Sequence, residues 1–251
     1  MAKLAARDLT VRRGGRAILD RVSFDLPEAG FVVVIGPNGA GKSTLLATLA
    51  GLIAADEGAV LLGDISLAAF TPRALALRRA YLPQNARCEW PISTARLVAL
   101  GLTPSLPAFG GFSAQDEARI AAALEACDLT AFRDRAATTL SGGEQARAML
   151  ARAIVADPEI LIADEPIAGL DPRHALDAMA RLKARGAARL VIAAAHDLAL
   201  AALFADHAIA LREGRILAQG DDVFRSETLS ALFDARLEIR REGEGVSLRY
   251  L

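Results

Sequence analysis

One nine-residue segment constrains the fold of this 251-residue chain more than any other part of the sequence. It follows the apolar run Phe-Val-Val-Val-Ile and precedes a helical pattern over residues 42–51. The segment fits the pattern GxxxxGK[ST], in which glycines let backbone N–H groups turn towards phosphate oxygens at the start of a helix. Its residues are Gly36, Pro37, Asn38, Gly39, Ala40, Gly41, Lys42, Ser43 and Thr44. A chance match in a glycine-rich turn is the alternative, but the pattern and its position together favour a phosphate loop.

Two side chains of this phosphate loop have chemical roles in the pattern. The ammonium group of Lys42 would meet the β and γ phosphates of a nucleotide, and the hydroxyl group of Ser43 would bind Mg²⁺. The chain contains 29 Lys and Arg residues, yet its only lysines are Lys3, Lys42 and Lys183. A slim point charge fits between phosphates better than a branched guanidinium, which gives a reason for lysine at this position.

A pair of acids follows a second apolar run, at residues 160–163. A nucleotide site needs an acid at the carboxyl end of a strand that neighbours the phosphate loop. Asp164 is predicted to hold Mg²⁺ through water, and Glu165 to polarise the attacking water. The alternative is a solvated strand end, which the presence of the phosphate loop disfavours.

A second glycine-rich turn precedes a helix at Ser141, Gly142, Gly143 and Glu144. Ser141 can cap that helix, and the free N–H groups of the two glycines would form a second anion site. An ordinary helix start is the alternative. The chain thus offers two phosphate-binding helix termini but one lysine-bearing loop, and two chains facing each other would use both.

The order of patterns along the chain predicts an α/β fold. An α/β core is expected over residues 1–84 and 159–222, and it includes antiparallel strands at 9–11 and 18–26 and buried strands at 31–35, 160–163 and 190–194. A helical subdomain is expected over residues 85–158, with a Pro/Gly-rich loop at 103–111 and helices at 115–127 and 144–156. A short tail over residues 223–251 is expected to end in a strand or hairpin at 246–251.

Composition excludes several classes of protein. Twenty-nine basic against 30 acidic residues give a net charge of −1, so bulk charge does not indicate a polyanion-binding surface. Each apolar run is broken by charge or glycine before the length of a membrane span, and the N-terminus has no secretion signal. Cys88 and Cys127 are isolated and lack metal-ligand spacing. We therefore expect a soluble intracellular chain.

The combination GPNGAGKST, LSGGEQARAMLARA and ILIADEP, with a histidine after a strand, resembles the nucleotide-binding subunit of an ABC transporter over nearly the whole chain. The LSGGE segment is its most specific part. The resemblance implies a P-loop NTPase core with an N-terminal antiparallel β subdomain and an inserted helical subdomain. It assigns Gln84 to Mg²⁺ and water, residues 141–144 to the ATP of a partner subunit, Asp171 to a loop linking the two ATP sites, and His196 to the γ phosphate.

The resemblance also implies partners and a location. ATP and Mg²⁺ are the expected cofactors, and two copies would sandwich two ATP molecules head to tail. Separate membrane-spanning permease subunits and a solute-binding protein are expected, and nucleic acid is not. The chain would then be cytoplasmic and bound to the inner face of the membrane through its permease.

Weaker similarities, at residues 98–101 and 170–174 and in the short tail, favour importers of iron–siderophore complexes, haem or cobalamin. A stand-alone ABC ATPase of a soluble cofactor-assembly complex is the alternative. A GTP-binding switch is disfavoured because no [NT]KxD motif is present.

One residue departs from the family pattern and leads to a prediction. Arg13 stands where the family usually has an aromatic residue that stacks on adenine. A guanidinium plane can also stack on a base, so we expect ATP to bind with relaxed base selectivity. A titration with ATP and GTP measures this, and a strong preference for ATP would contradict it.

Overall fold

The computed structural model describes residues 3–107, 111–242 and 245–251. Within them, strands and helices alternate along most of the chain, which confirms the predicted α/β fold class. The strands are β1 (Leu4–Arg13), β2 (Arg16–Asp25), β3 (Gly30–Ile35), β4 (Glu57–Leu62), β5 (Ile65–Ser66), β6 (Arg79–Leu82), β7 (Ile160–Asp164), β8 (Leu190–Ala194), β9 (His207–Arg212), β10 (Arg215–Gln219), β11 (Leu237–Glu242) and β12 (Gly245–Tyr250). The helices are α1 (Lys42–Leu49), α2 (Pro72–Arg78), α3 (Thr94–Ala99), α4 (Ala114–Ala126), α5 (Gly142–Ile154), α6 (Pro172–Gly186), α7 (Leu198–Phe204) and α8 (Ser226–Phe233).

A six-stranded sheet in the order β10-β9-β3-β8-β7-β6 forms the centre of the molecule. Strand β10 pairs antiparallel with β9, and the other neighbours run parallel. Along β3, Phe31 and Val33 pack into the core on one face of the sheet, whereas Val32 and Val34 pack into the core on the other. Burial on both faces explains why this strand is a continuous apolar run.

The strand order brings four chain segments to one edge of the central sheet. Strands β3, β8, β7 and β6 are adjacent and parallel, so the segments that follow them all leave at their carboxyl ends. The phosphate loop follows β3, His196 follows β8, Asp164 ends β7 and Gln84 follows β6. Residues far apart in the sequence therefore meet at this edge.

The N-terminal strands form a separate antiparallel sheet in the order β2-β1-β4-β5. It packs with α1 on one face of the central sheet. Both predicted strands are present, but β1 begins earlier than expected and β4 was not predicted. Asp8 has a left-handed φ of 46°, and the pairing of β1 with β2 shifts register at this point. This irregularity interrupts the two-residue alternation by which a strand is recognised in a sequence.

The helical region packs on the opposite face, in one core with α6, α7 and α8. Helices α4 and α5 begin one and two residues before the predicted starts. In both, a capping box sets the start: Ser113 pairs with Asp116, and Ser141 pairs with Glu144. Of the predicted loop at 103–111, residues 108–110 lie outside the described residues. The subdomain limits at 84/85 and 158/159 stay a prediction.

The C-terminal tail is a helix followed by a hairpin. Helix α8 precedes strands β11 and β12, and β12 corresponds to the predicted strand at 246–251. The hydroxyl group of Ser230 accepts a hydrogen bond from the backbone N–H of Leu237 (2.9 Å), which ties the hairpin to α8. No helix in the part of the chain that the structure describes combines the length and apolarity needed to cross a bilayer.

Candidate nucleotide-binding site

The phosphate loop turns sharply at the end of β3, where there is no room for a side chain. A Cβ atom on Gly36 would lie 2.1 Å from the backbone oxygen of Leu211 at the end of β9. The loop then leads into α1, whose first residue is Lys42. Lys42 is 6% exposed, and its ammonium group donates to the backbone oxygens of Gly36 (2.8 Å) and Pro37 (3.1 Å). Burial lowers the pKa of Lys42, and the nearby charges of Glu165 and Asp164 oppose this shift.

Asp164 is the other buried charge of the site. It is 3% exposed, and within the described residues its Oδ1 atom is buried without a hydrogen-bond partner. Burial raises the pKa of Asp164, while a hydrogen bond from Ser43 and the charge of Lys42 act in the opposite direction. The phosphate loop and the end of β7 are therefore in contact, and one carboxylate oxygen remains available to a ligand.

The carboxylate of Glu165 is held from two sides. The side-chain amide of Gln84 donates to its Oε2 atom (2.7 Å), and Nε2 of His196 contacts its Oε1 atom. Glu165 has a left-handed backbone φ of 54° directly after β7. The structure thus brings together three residues that sequence analysis predicted as catalytic.

An open cleft of about 740 Å³ joins these groups to the phosphate loop. It is lined by Ile18, Asn38, Gly39, Gly41, Lys42, Ser43, Thr44, Gln84, Glu165 and His196. Gly36 and Ala40 are buried in the packing of the loop. Arg13 is exposed at the end of β1 and is not among the lining residues.

Ile18 was not predicted as a site residue. It lies on β2, where it formed part of a pattern that indicated only a half-buried strand. Its distance in sequence from the phosphate loop gave no sign that the two would meet. The available signal was Arg13, which was expected to lie beside the nucleotide. Ile18 lies on the other strand of the same hairpin.

The other predicted residues do not line this cleft. Ser141 caps α5 by accepting from the N–H of Glu144 (3.3 Å), and the Glu144 carboxylate accepts from the N–H of Ser141 (2.6 Å). This second hydrogen bond lowers the pKa of Glu144. Asp171 caps α6, accepts from the N–H of His174 (3.1 Å) and contacts its ring, and the hydrogen bonds from His174 lower the pKa of Asp171. In one chain, these residues stabilise helix starts away from the cleft.

A lysine-bearing phosphate loop lies beside the buried carboxylate of Asp164, and the next residue, Glu165, is held by side chains that follow β6 and β8. This arrangement defines a nucleotide-binding protein of the phosphate-loop class. Within that class the family described as ABC transporter matches residues 19–168. The chain belongs to the ABC transporter family.

Two curated relatives illustrate the similarity. Hemin import ATP-binding protein HmuV of Thermobifida fusca is 40% identical over 240 residues, which cover 94% of this chain and 84% of that protein. The protein of the same name from Rhodopseudomonas palustris is 42% identical over 247 residues, covering 92% of this chain and 88% of that protein.

Solved structures share the fold. An ABC transporter of metal-chelate type, in an inward-facing conformation, superposes with a TM-score of 0.83 at 23% identity, over 100% of this chain and 96% of that chain. A dimeric ATP-binding cassette in a post-hydrolysis state, bound to ADP and phosphate, has a TM-score of 0.77 at 25% identity, over 86% of this chain and 97% of that chain.

The buried carboxylate leads to a prediction about pH and stability. Because burial raises the pKa of Asp164, the folded protein binds this proton more tightly than the unfolded chain does. The stabilising contribution of the protonated group is present below the unfolded pKa and is lost as the pH rises through the folded pKa. Without nucleotide, Asp164→Asn should therefore raise the midpoint of urea unfolding at pH 7.5, and the gain should shrink towards pH 4.

The matched control is Asp64→Asn, at an exposed position in the turn between β4 and β5. We expect it to leave the unfolding midpoint unchanged at both pH values. A lower midpoint for Asp164→Asn at pH 7.5 would contradict the prediction.

Proposed function

We propose that this chain is the ATP-hydrolysing subunit of an importer for haem or another iron complex. The observation that carries the ATPase assignment is the single cleft in which Lys42 and Ser43 face Glu165, held by Gln84 and His196. Two relatives named as hemin import ATP-binding proteins, similar over most of their length, support the choice of cargo. A siderophore complex or cobalamin is the nearest alternative cargo.

The residues present fit a magnesium ion bound with ATP. Asp164 offers a buried carboxylate oxygen that has no hydrogen-bond partner in the described part of the chain, next to the hydroxyl group of Ser43. The amide nitrogen of Gln84 is engaged with Glu165, which leaves its side-chain oxygen for the metal. Mg²⁺ is usually held in this way, by one or two protein oxygens together with phosphates and water. When bound, it would neutralise charge on the β and γ phosphates.

In this proposal the chain's own groups position the reacting atoms. Lys42 exchanges its two backbone oxygens for phosphate oxygens, so a charge that is already desolvated meets the nucleotide. Glu165 orients and polarises the attacking water, and Gln84 and His196 hold its carboxylate in place. His196 also lines the cleft, where we expect it to contact the γ phosphate. Phosphoryl transfer relies mainly on such positioning and charge stabilisation.

The site is completed by a second copy of the chain. Gly142 and Gly143 stand at the N-terminus of α5, where their N–H groups can bind an anion, yet they do not line their own chain's cleft. A head-to-tail pair would place each signature segment (residues 141–144) on the partner's ATP and bring the Asp171 loops to the middle. The dimeric cassette with ADP and phosphate is a precedent for two such chains in one assembly.

The test of this function is Glu165→Gln, which keeps the size of the side chain but removes its negative charge. We expect ATP hydrolysis to fall by at least about 100-fold, the size of a lost general base. ATP binding should persist, and gel filtration with ATP and Mg²⁺ should show a dimer. Glu159→Gln, directly before the start of β7, is the control and should hydrolyse ATP normally.

A monomer in gel filtration under these conditions would refute the sandwich for the isolated chain. Undiminished hydrolysis by Glu165→Gln would refute the role of Glu165.

A second surface fits the permease. Residues 87–90 line a groove of about 310 Å³ together with parts of α3 and α5. Trp90 is 66% exposed there, and Met149 and Arg152 lie on the α5 side. Exposed tryptophan at a groove is typical of binding surfaces. We propose that a segment of a membrane-spanning permease fills this groove and so holds the chain at the cytoplasmic face of the membrane. A solute-binding protein would deliver the cargo from the other side.

Affinity purification from membranes distinguishes importer from soluble assembly complex. We expect a permease to copurify with the chain, and Trp90→Ala to weaken this association by about 30-fold, the usual size of a tryptophan hot spot of about 2 kcal/mol. Tyr250→Ala, at a 78% exposed aromatic in the C-terminal hairpin, should have no effect.

Copurification of soluble proteins alone would favour the stand-alone ATPase of a cofactor-assembly complex.

A further inference from the structure

The phosphate loop is packed between two chain segments that sequence analysis did not connect with it. On one side is β2: a Cβ atom on Gly41 would lie 2.9 Å from the backbone oxygen of Ile18. On the other side is the end of β9, where Leu211 leaves no space for a side chain on Gly36. Backbone atoms of β2 and of the end of β9 therefore lie directly against the loop.

The two-residue turn between β9 and β10 joins all three segments. The N–H of Gly214 donates to the backbone oxygen of Ala40 in the phosphate loop (3.0 Å). The backbone oxygen of Gly214 accepts from the N–H of Asp20 on β2 (2.9 Å). Glu213 and Gly214 have left-handed φ values of 49° and 76°, as in the hairpin turns that match the twist of strands.

Only glycine fits at this point of contact. A Cβ atom on Gly214 would lie 2.4 Å from the backbone oxygen of Ile18 and 3.2 Å from the Cα atom of Leu19. Both contacts are with backbone atoms, which a side-chain rotation cannot relieve. A larger residue would have to push β2 away from the turn.

An ion pair reinforces the same junction. Arg215, the first residue of β10, donates through Nε to Oδ2 of Asp20 (2.9 Å), and its Nη2 atom contacts the same oxygen. This hydrogen-bonded guanidinium holds the pKa of Asp20 below its usual range. The pair connects residues 195 positions apart in the sequence. Side chain and backbone thus hold β2 against the turn together.

Ile18 connects this packing to the cleft. Its backbone oxygen is the atom that Gly41 and Gly214 approach, and the residue lines the cleft. Among the lining residues of the described chain, it is the one with a large aliphatic side chain, and the others are glycine or polar. In a nucleotide, the base and sugar are the parts that gain from an apolar wall, because phosphates need N–H groups and cations.

We propose that the turn at residues 213–215 is a positioning element of the nucleotide site. It sets the distance between the Ile18 wall and the phosphate loop, and it thereby governs how well the nucleoside part of ATP is bound. The phosphates are held by the loop itself, which stays attached to β3 and α1. This inference rests on the proposed ATP binding and adds residues that touch no nucleotide.

Binding of ATP and of inorganic tripolyphosphate to the full chain tests the proposal. In Gly214→Ala, β2 must move away from the turn, so we expect the Kd for ATP to rise at least about tenfold. The Kd for tripolyphosphate, measured by competition, should change less than about twofold. Gly63→Ala is the matched control: Gly63 has a left-handed φ of 63° in another hairpin turn, but a Cβ atom there would meet nothing within 4 Å. Both of its Kd values should equal those of the wild type.

A milder pair of variants covers the case in which Gly214→Ala does not fold. Arg215→Gln removes the ion pair with Asp20 and should raise the Kd for ATP about threefold, again without weakening tripolyphosphate. Arg215→Lys keeps the charge and should restore most of the ATP affinity.

The outcomes separate this inference from the proposed function. Unchanged ATP affinity in Gly214→Ala and Arg215→Gln would overturn the inference, and so would an equal loss of ATP and tripolyphosphate. A wild-type chain that fails to bind ATP would instead overturn the proposed function.

Discussion

The nucleotide site depends on the close packing of phosphate-loop glycines against the backbone of neighbouring strands. Gly36 lies against the end of β9 and Gly41 against β2, and each contact is shorter than any Cβ atom would permit. The loop therefore has one path, fixed by β3 behind it and α1 ahead of it. Backbone N–H groups held in this way can bind phosphate without reorganising, which is the main source of electrostatic stabilisation at such sites. The turn at Gly214 extends the same packing to the wall of the cleft.

The carboxyl edge of the central sheet also holds opposite charges in a desolvated position. Burial lowers the pKa of Lys42 and raises the pKa of Asp164, so each charge is less stable there than in water. Lys42 is partly compensated by the backbone oxygens of Gly36 and Pro37, whereas Oδ1 of Asp164 has no partner among the described residues. A ligand that carries phosphate and Mg²⁺ would relieve both. Function at this edge thus requires groups that do not favour the stability of the empty protein.

Residues of the site divide into two groups by where their hydrogen bonds go. Gln84 and His196 both contact the carboxylate of Glu165 inside the cleft of a single chain. Ser141 and Asp171 instead satisfy the N-termini of α5 and α6, away from that cleft. This division suits a protein that forms part of its active site alone and obtains the rest from a second copy.

Local patterns in the sequence determined the α/β class, the phosphate loop, the acids after β7 and the starts of α4 and α5 to within two residues, because each depends on neighbours along the chain. The first part of β1 was missed because the irregularity at Asp8 interrupts its two-residue alternation. Ile18 and Gly214 were missed for a different reason. Their importance comes from contacts with the phosphate loop, made across strands that are distant in sequence. The order of strands in the sheet decides those contacts, and that order is set by the packing of the whole core.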